Sequence, residues 1–202
     1  MARSKSPLKP EPFWRPTREQ LAAAHERTVP DLIRPGLRVL FVGINPGLYT
    51  AAIGHHFGRP GNRFWPALHA GGFTPSVFSP FESTRLLELD LGITNLVKRA
   101  TAMAHEVTTV ELLAGAARLR RKIKRYRPEF AAVLGLTSYR IAFQNPMAVI
   151  GLQSEKIGDT RLWLLPNPSG LNAHHQPVHL ARLFRELAEA AGLKKRAKRS
   201  VK

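Results

Sequence analysis

Apolar residues in this 202-residue chain fall into dense runs of four to six, separated by stretches where they recur every third or fourth position. Leu37–Gly43, centred on Val39-Leu40-Phe41-Val42, Phe130–Gly135 and Arg161–Leu165 are nearly unbroken apolar runs of strand length. That is the pattern of strands covered on both faces. Ile93–Val97 reads as a shorter strand. Helical spacing is clearest in Leu112, Leu113, Ala116, Leu119 and Ile123, which predicts a helix to about Tyr126 with one buried face. Thr108-Thr109-Val110-Glu111 has the form of a capping box at its start. Further helices are predicted from Thr17, as N-cap, to His25, and over 63–70, 80–88, 138–143 and 178–191. Residues 44–62, rich in glycine and proline, read as one long loop. Strands alternating with helices predict a three-layer α/β/α sandwich around a largely parallel sheet. One domain is expected over 17–192, with a flexible tail at 1–16 and a second at 193–202. No internal repeat is evident.

Composition changes this picture mainly through charge. Thirty-one Lys and Arg face fourteen Asp and Glu, for a formal net charge of +17 and a pI near 11.3. Residues 1–16 carry a net +3 and residues 193–202 a net +6, which leaves +8 on the body. A chain so basic is attracted to polyanions, because neutralising phosphates releases their condensed counterions; solubility or non-specific adhesion to RNA is the bland alternative. With no cysteine, disulfides, thiolate-ligated zinc and Cys-held iron–sulfur clusters are excluded. The proline-rich, polar N-terminus does not resemble a secretory signal, and no apolar run reaches the roughly 18 residues of a membrane span. The expectation is a soluble cytoplasmic monomer associated with the nucleoid, without membrane contact.

Two asparagine-proline turns follow apolar runs: Gly43-Ile44-Asn45-Pro46-Gly47 and Pro166-Asn167-Pro168-Ser169-Gly170-Leu171. The carboxyl ends of strands are where α/β proteins bind ligands, and an Asn there offers both a donor and an acceptor. Asn45 is no base at neutral pH, but it can hold and orient a water. A structural Asx turn is the competing reading. Phe57, in the loop His55-His56-Phe57-Gly58, suits stacking on a base, or plugs the loop onto the body. His55, His56, His174 and His175 suit phosphate contact or plain exposure better than metal, since no carboxylate or cysteine accompanies them; neither metal nor cofactor is expected. Leu171 is either a wedge between base steps or a residue folded beneath its loop. Ser169 and the amides after it suit a phosphate. The basic cluster of Arg118, Arg120, Arg121, Lys122, Lys124, Arg125 and Arg127 is either a solvated helix face or a phosphate contact. No Ser-His-Asp set, Walker loop or dinucleotide fingerprint is present.

Together, Gly43-Ile44-Asn45-Pro46-Gly47-Leu48, Pro60-Gly61-Asn62-Arg63-Phe64-Trp65 and Asn167-Pro168-Ser169-Gly170-Leu171 resemble the mismatch-specific uracil (thymine) DNA glycosylases of the uracil-DNA glycosylase superfamily. The resemblance runs from about Pro35 to Gly192. It implies an enzyme that flips uracil, or thymine or a damaged cytosine, out of G·U and G·T mismatches in double-stranded DNA and hydrolyses its N-glycosidic bond. By resemblance, Asn45 positions the attacking water and Asn167 stands where some relatives carry a His. Gly43, Ile44, Phe57 and Asn95 form the base pocket, with Phe57 stacking on the base. Ser169, Gly170, Leu171, Asn172 and His174 serve the wedge and DNA contacts. No Lys stands at a nucleophile position, so a monofunctional enzyme is implied.

The chain departs from the bacterial pattern in two places. Asn95 replaces a Lys at the pocket edge, where an amide can pair with uracil or hold water and relax the mismatch requirement. Asn172-Ala173 replaces Ser-Arg after the Leu. Two other functions remain open: a catalytically inactive nucleic-acid-binding module of this fold, and an enzyme acting on free nucleosides. A duplex-opening Leu argues against the second of these.

Overall fold

The computed structural model describes residues 15–170 and 176–193; most of both terminal tails, and residues 171–175, on which most of the expected wedge falls, lie outside the described residues. Among these, five strands form one sheet: β1 (Val39–Gly43), β2 (Leu91–Asn95), β3 (Phe130–Leu134), β4 (Gly151–Ile157) and β5 (Thr160–Leu165), in the order β2-β1-β3-β5-β4. All neighbours are parallel except β4, which is antiparallel to β5. Six α-helices accompany them: α1 (Arg18–Ala22), α2 (Leu48–Ile53), α3 (Phe64–Ala70), α4 (Thr109–Tyr126), α5 (Leu136–Ala142) and α6 (Pro177–Ala190).

The apolar strands are unbroken because both of their faces are covered. Val39 and Phe41 point to one core, with Phe64, Leu68, Phe73, Phe184 and Leu187 of the α3–α6 side. Leu40 and Val42 point to the other, with Leu119, Ile123, Tyr139 and Phe143 of the α4–α5 side. Phe130 and Ala132 likewise face one way, Ala131 and Val133 the other. The alternation is the two-residue period of a strand, here apolar in both phases. This is the three-layer α/β/α sandwich the patterning predicts.

Differences from the sequence reading have local causes. Loop 44–62 contains α2, opened by Gly47 and closed by Gly54 in the left-handed region at φ 72°. Glycines that read as loop composition are therefore the punctuation of a two-turn helix. The predicted helix over 80–88 is a 3₁₀ helix, Pro80–Leu89, with a capping box from Ser79 and Glu82. α1 keeps its Thr17 cap but ends at Ala22. β2 ends at Asn95 rather than Val97, which makes Asn95 the register partner of Gly43. The edge strand β4 alternates covered and exposed positions, but polar Gln153 and Glu155 stand at covered ones and apolar Leu152 at an exposed one, so hydrophobic periodicity does not reveal it.

α4 follows its capping box, with Glu111 N donating to Thr108 Oγ1 at 3.3 Å, and stops at Arg127, left-handed at φ 47°. Part of its basic cluster is structural. Arg118 donates to the Leu96 carbonyl, Arg120 pairs with Glu155, and Lys122 pairs with Asp31 and reaches Thr94 Oγ1. The exposed remainder, Arg121, Lys124, Arg125 and Arg127, belongs to the end of α4 where the Tyr126 carbonyl meets Gly36, ahead of β1. That is the amino end of the strands, away from the edge where the asparagine-proline turns lie.

Candidate active site

The carboxyl ends of β1, β2, β3 and β5 open into a cavity of about 400 Å³. Gly43, Ile44, Asn45, Phe57, Asn62, Asn95, Asn167 and Ser169 all line it, so residues from all three motifs meet on one surface. The parallel topology explains the meeting. The crossovers return β2, β3 and β5 in the direction of β1, so loops more than 100 residues apart emerge at one edge.

Asn45 is held by its donor side. Its Nδ2 donates to Thr101 Oγ1 at 2.8 Å, and to the carbonyls of Arg99 and Pro46 at 3.2 Å each. Carbonyls only accept, so these contacts fix which end of the amide is nitrogen. No described residue donates to Oδ1, which leaves it as the acceptor of a side chain that lines the cavity. Thr101, 1% exposed, passes its own proton to the Met103 carbonyl at 2.8 Å. Its oxygen is thereby left as acceptor for Asn45. The strand-like run 95–101 is laced to the Asn45 turn by Leu96 N to Gly43 O, Val97 N to Ile44 O and Thr101 N to Pro46 O. Arg99 anchors that run through Glu111, Glu26 and the Glu106 carbonyl. Arg99 and the Thr108 backbone together pull the Glu111 carboxyl down to about 2.

Asn95 closes the side of the pocket next to β1. Its Oδ1 lies directly against Gly43: a Cβ at that position would overlap Oδ1 and come within 3.5 Å of the Phe57 ring. Gly43 is thus a packing requirement rather than a turn residue. Phe57 sits at φ 53°, with its ring stacked on Phe64 at 3.9 Å between centroids and 20° between planes. The reading in which Phe57 plugs the loop onto the body holds, and the same residue also lines the cavity.

The second turn is clamped to the Pro60–Arg63 segment. Arg63 N donates to the Pro168 carbonyl at 2.9 Å, and the Arg63 guanidinium to the Ser169 carbonyl at 2.6 Å. A Cβ on Gly170 would stand 2.6 Å from the Gly61 carbonyl oxygen, so this glycine permits two loops to touch. Asn167 Oδ1 accepts from Ser169 N at 3.0 Å, an Asx turn. Leu171, Asn172 and His174 lie outside the described residues.

The sequence reading places His55 and His56 in solvent or on phosphate, and the structure corrects this. His55 packs edge-on against Phe81 near Ser83. His56 is 2% exposed, with Nε2 on the Pro30 carbonyl at 2.9 Å and Nδ1 3.4 Å from Asn95 Nδ2. Sequence reasoning also missed Thr101 and Arg99. Both act on Asn45 from a run about 55 positions away, and neither carries a motif signal. Among the described residues, no group of three or more His, Asp or Glu is placed to hold a metal ion, and no helix is long and apolar enough to cross a membrane.

The strand ends of this three-layer α/β/α sandwich thus converge on an amide-lined, aromatic-walled pocket. Residues 30–188 match the family model of the uracil DNA glycosylase superfamily. The chain belongs to that superfamily, whose members are typically DNA glycosylases.

Proposed function

We propose that this protein is a monofunctional glycosylase that hydrolyses the N-glycosidic bond of uracil opposite guanine in double-stranded DNA, with one catalytic domain over 17–192. The observation that carries the reading is Asn45 on the cavity wall, whose donor side is held by three acceptors while no described residue donates to its Oδ1. An amide so fixed accepts a hydrogen bond from a water and aims the water's oxygen lone pair. The water attacks C1′ of an extruded nucleotide as the C1′–N1 bond breaks, and the base departs with the electron pair. The surplus proton passes to solvent.

Phe57 supplies a flat wall for the base and Asn95 meets its polar edge. Asn167, on the cavity wall with Oδ1 on Ser169, is assigned to the departing anion as a neutral amide. A neutral amide stabilises that charge less than a histidine would, so slow turnover follows. G·U and G·T pairs are favoured because a wobble pair costs least to open, and the +8 body charge supports binding to the backbone. The wedge of Gly170, Leu171, Asn172 and His174 fills the vacated stack.

The test is incubation with labelled duplexes carrying G·U, A·U, G·T and G·C, and with single-stranded uracil DNA, scored by alkali-sensitive abasic sites. Release at G·U that is lost in Asn45→Ala while duplex binding persists is the expected result. Salt-sensitive binding with no release from any substrate would instead favour the non-catalytic module.

A further inference from the structure

We propose that His56 is a positioning residue that sets the orientation of the Asn95 amide, so that the pocket offers an acceptor to the imide N–H of a uracil-type base and disfavours the edge of cytosine. This rests on the glycosylase reading above and adds a specificity determinant to it.

The argument begins at Pro30. Its carbonyl can only accept, so the ring nitrogen 2.9 Å away, His56 Nε2, carries the proton. In a neutral imidazole the other nitrogen, Nδ1, is then a lone-pair acceptor. Nδ1 lies 3.4 Å from Asn95 Nδ2, a contact that is attractive only if the amide turns its NH₂ toward the ring. Exchanging the amide's two ends would set Oδ1 against the Nδ1 lone pair. The relay Pro30–His56–Asn95 therefore dictates that Oδ1 lies on the Gly43 side, and both residues line the cavity.

The ring is kept neutral by its surroundings. His56 is 2% exposed, and burial pushes its proton affinity below the ordinary histidine range. His55 and Lys122 push the same way, against Asp31 and the Pro30 carbonyl. Asp31 is itself committed to Lys122 and Thr94, on the strand residue next to Asn95.

The chemical consequence concerns the base edge. Uracil presents an N3–H donor beside a carbonyl oxygen; cytosine presents an N3 lone pair beside an amino group. An amide locked with Oδ1 toward N3 and its second N–H toward the neighbouring oxygen matches the first and opposes both groups of the second. An amide free to turn over would accept either edge.

Two measurements on the full chain test this. In ¹⁵N-resolved NMR of the unliganded protein at neutral pH, His56 is expected as the neutral Nε2–H tautomer. An Nδ1–H tautomer or a doubly protonated ring would overturn the proposal. In parallel, single-turnover excision is compared on duplexes with 5-fluorouracil and 5-fluorocytosine opposite guanine. Fluorine weakens both glycosidic bonds by stabilising the departing base, so their ratio reports the pocket's discrimination between edges. His56→Gln can donate to Pro30 and accept from Asn95, and is expected to keep the wild-type ratio. His56→Leu does neither, and the ratio should fall about tenfold, the equivalent of one hydrogen bond. An unchanged ratio in folded His56→Leu, or a loss in His56→Gln equal to that in His56→Leu, would overturn the assignment. Should the wild-type protein excise neither base, the glycosylase reading fails, and the NMR arm alone decides whether His56 holds Asn95.

Discussion

Asn45 and Thr101, 56 positions apart in the chain, are joined by a 2.8 Å hydrogen bond from amide to hydroxyl. The hydroxyl can serve as acceptor because its own proton is used on the Met103 carbonyl. In the proposed role, an amide that positions water is only as well aimed as the groups that stop it rotating, and the shortest of the Asn45 contacts comes from outside every recognisable motif.

Thr101→Val keeps the shape and deletes the acceptor. With two carbonyls still holding Asn45, the aim should loosen rather than vanish. Single-turnover excision of uracil should fall about tenfold, on the scale of one hydrogen bond, with duplex affinity unchanged. Thr101→Ser should recover most of the rate. A Val variant with wild-type rate would show that the two carbonyls suffice.

Gly43→Ala introduces a Cβ that overlaps Asn95 Oδ1 and presses on Phe57. Asn95 must turn away or β1 must shift against β2. Excision should drop at least a hundredfold while the melting temperature changes by only a few degrees, since the crowding falls on the cavity side rather than within either core. Rate and thermal melting measured on the same preparation would check this.

Gly170→Ala sets a methyl 2.6 Å from the Gly61 carbonyl oxygen, and neither partner is a flexible side chain. The Arg63 bonds to Pro168 and Ser169 should weaken as the turn backs off. About 1–3 kcal/mol of stability should be lost, the usual cost of overpacking, together with activity on duplex uracil. Urea denaturation gives the first, and excision on double- against single-stranded substrate gives the second. A fully stable variant would mean that the two loops separate without cost.

Acid should act on two identified groups. Burial holds the folded His56 below its ordinary 6.5, so the unfolded chain binds the proton first and stability falls as pH drops below 6.5. Melting curves taken downward from neutrality should show this slope in the wild type and a smaller one in His56→Gln. Glu111, held at about 2 against an ordinary 4.5, contributes stability present above 4.5 and lost between there and 2. Glu111→Gln should remove that second phase, along with the Arg99 anchor behind Asn45.

Much of the fold was legible because its signals are local. Four apolar runs were read as strands of a largely parallel sheet, and Thr108 with Glu111 announced the helix they cap. β4 was illegible because an edge strand with one solvent face needs few apolar residues, and α2 because the glycines that bound a two-turn helix look like loop. The candidate pocket was legible where a residue type is unusual for its place, as with Asn45 and Phe57, and through the family resemblance at Asn95. His56 looked like half of an exposed pair, although the two rings diverge: one goes to Phe81, the other under Asn95.

By itself, the sequence determined the layer architecture, the charge that draws the protein to polyanions, and the amides and aromatic ring that the strand ends would carry. These follow from hydrophobic period, composition and turn chemistry, each set within a few residues. Only the tertiary structure decided that Thr101 and Arg99 hold Asn45, that Pro30 and His56 orient Asn95, and that Gly61 and Gly170 touch. A hydrogen bond's partner is chosen by which backbone passes within about 3 Å. In a parallel sheet, that neighbour is separated in the chain by the length of a crossover.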